Sequence, residues 1–305
     1  MSALRIPVST YSIVARDPAT GELGCAVQSH FFSVGPLVPW VEAGVGAVAT
    51  QAMVEPSYGP RGLELMRAGD SASDALAALL EEDAQREVRQ VAMVDPSGGV
   101  AAHTGAKCIA EAGHRAGEGS SVQANMMRAP TVPGAMARAF ETTEGDLADR
   151  MVAALHAAER EGGDIRGKQS AAIVVHKGTS TGRPWHDRRF DLRVEDHPEP
   201  LDELARLVRL QRAYDFVERG DACLAVGDMA GARDAYERAG QLAPEAGELV
   251  FWQAVALCAA GDRDEALERF ARLFEKEPVW RDLVPRLVEP GILPDEEAVR
   301  RILGR

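Results

Sequence analysis

Thr10-Tyr11-Ser12-Ile13-Val14-Ala15-Arg16-Asp17 is followed through a turn by Gly24-Cys25-Ala26-Val27-Gln28-Ser29. Both runs are rich in β-branched and small apolar residues, and a polar, glycine-containing segment separates them, which predicts a β-hairpin. Thr10, a hydroxyl residue, heads the first strand. With a period of two, Ser12 faces the same side. The glycine-rich run Ala43-Gly44-Val45-Gly46-Ala47-Val48-Ala49-Thr50-Gln51 reads as a third strand that ends in a polar pair.

Outward from this stretch the pattern alternates between strands and helices. Helices are predicted at about 60–69 and 71–83, then strands at Arg89–Val94 and Gly99–His103 joined by the turn Asp95-Pro96-Ser97-Gly98. Two more helices are expected at about 131–142 and 145–161, and strands at about Ser170–His176 and Phe190–Val194. Such an order suits two stacked sheets covered by helices, although periodicity does not distinguish this from another α+β layering. Glu195-Asp196-His197-Pro198-Glu199-Pro200 reads as an extended linker.

Beyond the linker the period is helical and the sequence repeats itself. Gly220, Gly227, Ala232, Tyr236 and Pro244 recur 34 residues later as Ala254, Gly261, Ala266, Phe270 and Pro278. Small residues let paired helices approach, glycine turns the chain, the aromatic fills the gap and proline ends the second helix. This register resembles the tetratricopeptide repeat. Helices at about Leu201–Tyr214 and Asp295–Leu303 are expected to cap the two repeats, unless the array leans on the other domain.

The chain has 305 residues, 46% of them apolar, and a formal charge of −13, a length that suits two domains. Residues 1–200 carry 26 acidic and 19 basic side chains and residues 201–305 carry 21 and 15. With no basic stripe, nucleic acid is not an expected partner. No apolar run reaches the roughly 18 residues of a membrane span, and Met1–Ser9 lacks the apolar region of a secretory signal. Cys25, Cys108, Cys223 and Cys258 lie far apart without a C-x-x-C, as expected of free thiols in a cytoplasmic protein. The seven histidines show no metal-ligand spacing. Gly44-x-Gly46 lacks the strand–loop–helix setting of a dinucleotide site. No metal or cofactor is expected.

The run from Thr10 to Gln51, with Ser57-Tyr58-Gly59-Pro60-Arg61-Gly62-Leu63-Glu64-Leu65 and Gly167-Lys168-Gln169-Ser170-Ala171, closely resembles a bacterial and archaeal family over about residues 10–198. That family is known as domain of unknown function 1028 and is regarded as Ntn-hydrolase-like. The resemblance implies an α+β fold, a four-layer αββα sandwich, followed in this chain by an all-α tetratricopeptide-like domain. The implied division is an N-terminal extension or propeptide at 1–9, an Ntn-hydrolase-like domain at 10–198 and a helical repeat domain at 199–305.

On this resemblance Thr10 is the candidate nucleophile. An N-terminal threonine uses its own α-amine, with an ordinary pKa of roughly 8, as general base. As written, Thr10 follows nine residues, so the amine is free if the Ser9–Thr10 bond is cleaved or the true start differs; otherwise Thr10 is an ordinary strand residue. Ser12 is its same-face neighbour, able to assist or substitute. Asn125, after a predicted strand, is the preferred side-chain oxyanion donor. Gln28, Ser29, His30, Thr50 and Gln51 lie at strand ends where substrate-contacting groups belong. Arg61 could grip a carboxylate or pair with an acidic neighbour, and Lys107 could depress the pKa of a nearby amine. Asp164 and Gln169 lie in a helix-to-strand loop, where an Asp164–Arg166 contact is the structural alternative. The expected activity is hydrolysis of a small amide or related C–N bond. The rival expectation is a non-catalytic ligand- or protein-binding protein. The repeats are expected to engage a protein partner or another copy of the chain in a homo-oligomer.

Overall fold

The computed structural model describes residues 10–304. The expected extension at 1–9, and with it the Ser9–Thr10 bond, lies outside the described residues. The hairpin is β1 (Thr10–Arg16) and β2 (Leu23–Ser29), with Thr10 opposite Ser29. A second hairpin joins β3 (Pro39–Glu42) and β4 (Gly46–Ala52). The third strand of the sequence reading thus starts later than expected, because Gly44 occupies the turn with a left-handed φ of 71°.

Helices α1 (Tyr58–Ala68) and α2 (Ala72–Glu82) follow, the second capped by Ser71, whose hydroxyl accepts from the Asp74 N–H. Next come β5 (Arg89–Val94) and β6 (Val100–Thr104), joined at the expected Asp95 turn. β7 (Gly113–Gly117) has no apolar alternation and no strand signal in the sequence, yet it pairs with β8 (Ser120–Asn125). Then come α3 (Val132–Thr142), α4 (Leu147–Arg160), β9 (Ser170–His176), the short α5 (Pro184–Asp187) and β10 (Arg188–Val194).

The strands build two antiparallel sheets, one in the order β10-β9-β2-β1-β8-β7 and one in the order β3-β4-β5-β6. Strand parity assigns their faces. Tyr11, Ile13 and Ala15 of β1 pack with Met136 and Phe140 of α3 and Met151 and Leu155 of α4. Val14 of β1, with Cys25 and Val27 of β2, faces Ala47 and Ala49 of β4 and Ala92 and Val94 of β5. On the far side of the smaller sheet Val48, Val91 and Met93 pack against Tyr58, Leu63 and Met66 of α1 and Leu76 and Leu79 of α2. The layers are therefore helix pair, six-stranded sheet, four-stranded sheet and helix pair. Close approach of α1 is bought with glycine: a Cβ on Gly59 would lie 2.2 Å from the Trp40 ring.

The chain divides into two compact units, the first ending at Val208 and the second beginning at Arg209. The division falls inside α6 (Pro200–Ala225), ten residues beyond the expected boundary. Proline is tolerated in a first helical turn, so the linker ends in a helix start. The helix then continues through the segment expected to be a separate cap. Leu201, Leu204 and Val208 belong to the first unit's core.

The second unit contains α7 (Met229–Leu242), α8 (Gly247–Ala259), α9 (Arg263–Lys276) and α10 (Glu296–Leu303) around Tyr236, Phe251 and Phe270. The repeat positions behave as their chemistry dictates. Gly227 and Gly261 hold left-handed turns at φ 79° and 93°, and a Cβ on Gly220 would lie 2.3 Å from the Tyr236 ring. All four cysteines are free. Among the described residues no helix is long and apolar enough to cross a membrane.

Candidate functional site

The face of β1 that carries Val14 into the space between the sheets carries Ser12 and Thr10 there too. Cross-strand register then sets a row of polar residues. Thr10 pairs with Asn125 of β8 on one side and Ser29 of β2 on the other, and Ser29 pairs with Ser170 of β9. The next row pairs Ser12 with Gln123. Across the gap the smaller sheet presents Gln51, Gln90 and Thr104, likewise paired in register. Thr10, Ser12, Ser29, Gln51, Gln90, Gln123 and Asn125 are all buried.

Burying so many polar groups is tolerable only if they satisfy one another, and they do. Ser121 Oγ donates to Gln123 Oε1 at 3.1 Å, Gln123 Nε2 to Ser12 Oγ at 2.7 Å, and Ser12 Oγ to Gln51 Oε1 at 2.6 Å. Gln51 Nε2 donates to Gln90 Oε1 at 2.7 Å, and Gln90 Nε2 to Thr104 Oγ1 at 2.9 Å. Asn125 Nδ2 donates to the same Gln90 oxygen at 3.0 Å. The carbonyl of Thr10 lies 3.3 Å from Gln51 Nε2 and 3.5 Å from Asn125 Nδ2. Both amide-bearing strands stop sharply beyond this point, since Ala52 and Met126 take left-handed φ values of 67° and 59°.

Of the residues singled out in the sequence, Thr10, Ser12, Ser29, Gln51 and Asn125 come together in this layer. The others lie elsewhere, for reasons of parity or charge. Gln28 is on the opposite face of β2. It is buried beside Tyr11, and its amide has no hydrogen-bond partner among the described residues. Thr50 faces the α1 side, where its hydroxyl donates to the Glu55 carbonyl at 3.1 Å. Arg61 is exposed and pairs with Glu82 at 2.6 Å. Lys107 is exposed on its loop, where its backbone N–H donates to the Glu87 carbonyl at 2.7 Å.

Asp164 is buried, but its carboxylate is engaged by Arg166 at 3.0 Å and by the His30 N–H at 3.1 Å, so the loop-stitching alternative describes it. The His30 ring lies 3.3 Å from the Lys168 carbonyl. Gln169 donates to Asp196 at 3.2 Å on the surface. Gln90, Gln123 and Thr104 are the members of the layer that sequence reasoning passed over. The available signal was the spacing Ser121-x-Gln123-x-Asn125, which places three polar groups on one strand face.

The layer reaches the surface at the edge strands. A crevice of about 560 Å³, lined by Thr104, Cys108, Glu111 and His114 among others, opens beside β6 and β7. Thr104 Oγ1 lies 2.9 Å from His114 Nδ1. Partial burial, with a smaller contribution from nearby His103, holds the His114 imidazole below its ordinary pKa. Burial likewise pushes up the thiols of Cys25 and Cys108. Among the described residues no group of three or more His, Cys, Asp or Glu is placed to hold a metal ion.

Comparison with known proteins bears on both units. The model described as a family of unknown function, DUF1028, matches residues 10–204, and a tetratricopeptide-repeat model matches residues 224–284. The crystal structure of a DUF1028 protein from Silicibacter pomeroyi aligns with a TM-score of 0.60 and 31% identity, covering 73% of this chain and 88% of that one. Anbu, the ancestral beta-subunit, from Yersinia bercovieri aligns at a TM-score of 0.33 and 9% identity over 64% of this chain and 90% of that one, a likeness too slight to carry an argument. No curated protein matches the chain.

Proposed function

The chain belongs to the DUF1028 family, and from that premise we propose that its first unit is an Ntn-type hydrolase of a small amide or related C–N bond. The observation that supports this reading is the placement of Thr10. It stands at the head of β1, on the inter-sheet face, between Ser29 and Asn125 and opposite Gln51 and Gln90. Opening of the Ser9–Thr10 bond would free an amine on the residue whose hydroxyl attacks.

In that form Thr10 Oγ1 bonds to the acyl carbon and passes its proton to its own amine, which hands it to the departing nitrogen. Water then cleaves the ester, so that amide and water become acid and amine. The Asn125 amide and a backbone N–H would hold the oxyanion. The Thr10 side chain is buried as the chain stands, so the bond opening that frees the amine has also to admit substrate.

A second reading is favoured by a specific observation: the amides of Gln51, Gln90 and Gln123 already satisfy one another and Ser12 without any ligand. On that reading the layer is structural, and the molecule works as a binding protein. Under either reading the tetratricopeptide-type unit would engage a protein partner or a second copy of the chain.

Intact mass separates the two. For the hydrolase, purified wild-type protein is expected to lose residues 1–9 on storage, Thr10→Ala is expected to keep them, and only the wild type should release amine from a panel of small amides and ureido compounds. Full-length wild type in fresh and aged samples would favour the binding protein.

A further inference from the structure

The Thr104–His114 pair is not used by the Thr10 mechanism, and its surroundings give it a direction. From Ser121 the hydrogen bonds run Gln123, Ser12, Gln51, Gln90 and Thr104, each side chain donating to the next. Because Gln90 Nε2 fills one lone pair of Thr104 Oγ1 at 2.9 Å, the hydroxyl proton is left to point elsewhere. In the tautomer that carries its proton on Nε2, His114 Nδ1, also at 2.9 Å, accepts it. Aligned dipoles of this kind strengthen the terminal bond, and the terminal bond lies at an open crevice.

We propose that Thr104 and His114 form a second, processing-independent acyl-transfer site, with Thr104 Oγ1 as nucleophile and His114 Nδ1 as general base toward small esters or activated amides. A hydroxyl and an imidazole within hydrogen-bond reach supply the nucleophile–base pair of an activated nucleophile. Here the group held by a third side chain is the hydroxyl, through Gln90, rather than the base.

A crevice of about 560 Å³ lies in the roughly 300–1,000 Å³ range of small-molecule sites. Gly105, Ala106, Ala110 and Ala112 give it walls without bulk, and Glu111 supplies a single negative charge. A compact acyl donor with a neutral or cationic leaving group fits that lining.

The step balances without a further reagent. Thr104 Oγ1 bonds to the acyl carbon and its proton moves to His114 Nδ1. The acyl–oxygen or acyl–nitrogen bond then breaks, and the leaving group takes that proton. Water attacks the Thr104 ester with His114 again as base, giving the acid and restoring the hydroxyl. The neighbouring thiol is a poor competitor, since Cys108 Sγ donates to the Arg89 carbonyl at 3.3 Å and burial raises its pKa. The other nearby imidazole, His103, is held by its Nε2 against the Arg86 carbonyl at 2.8 Å.

The test uses the full chain and p-nitrophenyl acetate. Early quench and peptide mapping of the wild type are expected to place the acetyl group on Thr104. His114→Gln is expected to slow p-nitrophenol release by about a hundredfold or more. Thr104→Val should abolish acetylation at this position and Thr104→Ser should restore it. An acetyl group found on Lys107 or Cys108 instead, or a rate unchanged in His114→Gln, would overturn the proposal. The mapping needs only wild-type protein, so it decides even if Thr104→Val does not fold. No bond opening at Thr10 is required, and the outcome is independent of the chain's intact mass.

Discussion

Gln90 stands in the middle of the inter-sheet layer. Its Oε1 accepts from Gln51 and Asn125, while its Nε2 donates to Thr104 Oγ1 and to the carbonyl of Ala124 at 2.9 Å. Gln90→Leu keeps the volume but leaves the Gln51 and Asn125 amides without that acceptor. A buried polar group that loses a partner costs about 1–3 kcal/mol, so the two amides together are expected to cost about 2–6 kcal/mol, read as a lower urea midpoint at unchanged slope. A midpoint within experimental error of wild type would show that the layer does not depend on this amide. The same residue marks the limit of what the sequence discloses. Ser12 was legible because the period of two sets it on the face of Thr10, whereas Thr10 and Asn125 were singled out through the family resemblance. Gln90 and Gln123 were not legible, because a polar residue inside a strand acquires its role only when the other sheet is laid over it. Arg61 and Lys107 attracted attention by their charge, and charge is what sends both to solvent.

Among the elements, the β5–β6 turn ties two layers together through one carboxylate. Asp95 Oδ1 accepts from the Ser97 N–H at 2.9 Å, the Ser97 hydroxyl at 2.6 Å and the Gly99 N–H at 2.9 Å, while Oδ2 accepts from the Ala72 N–H of α2 at 3.1 Å. Burial alone would raise the Asp95 pKa, but these donors outweigh it and hold the group below the ordinary carboxylate value. A folded-state pKa below the unfolded one makes the contribution complete above the unfolded value of about 3.9, and it fades as pH falls through the folded value. Asp95→Asn is therefore expected to cost about 1–2 kcal/mol at neutral pH. The gap from wild type should close as denaturation is repeated at progressively lower pH below about 4. A gap that widened on acidification would contradict the assignment. The turn itself was plain in Asp95-Pro96-Ser97-Gly98, as were the helices with clean caps and apolar stripes. β3 and β7 were hidden for a physical reason: β7 is an exposed edge strand of polar and small residues, held by its backbone ladder to β8 rather than by an apolar face.

At the scale of the whole molecule, the position of the domain boundary is a statement about which core owns α6. The proline-rich segment at 195–200 suggests a break there, yet Leu201, Leu204 and Val208 are buried in the core that also holds Met151, Leu155 and Phe190. Ala213 and Val217, further along the same helix, belong to the core of the repeat unit. A fragment of residues 1–198 would therefore expose the apolar surface that those three side chains cover, whereas a fragment of residues 1–208 keeps it covered. Burial of a large aliphatic side chain contributes about 1.5–3 kcal/mol. The shorter fragment is thus expected to be less stable than the longer by about 4.5–9 kcal/mol, which for a domain of ordinary marginal stability is enough to unfold it. Thermal and urea melts of the two fragments would show a cooperative transition for 1–208 and a weakened or absent one for 1–198. Equal melting of both would mean that the first turns of α6 cover that surface without holding the unit together, and the boundary would then belong at the prolines after all.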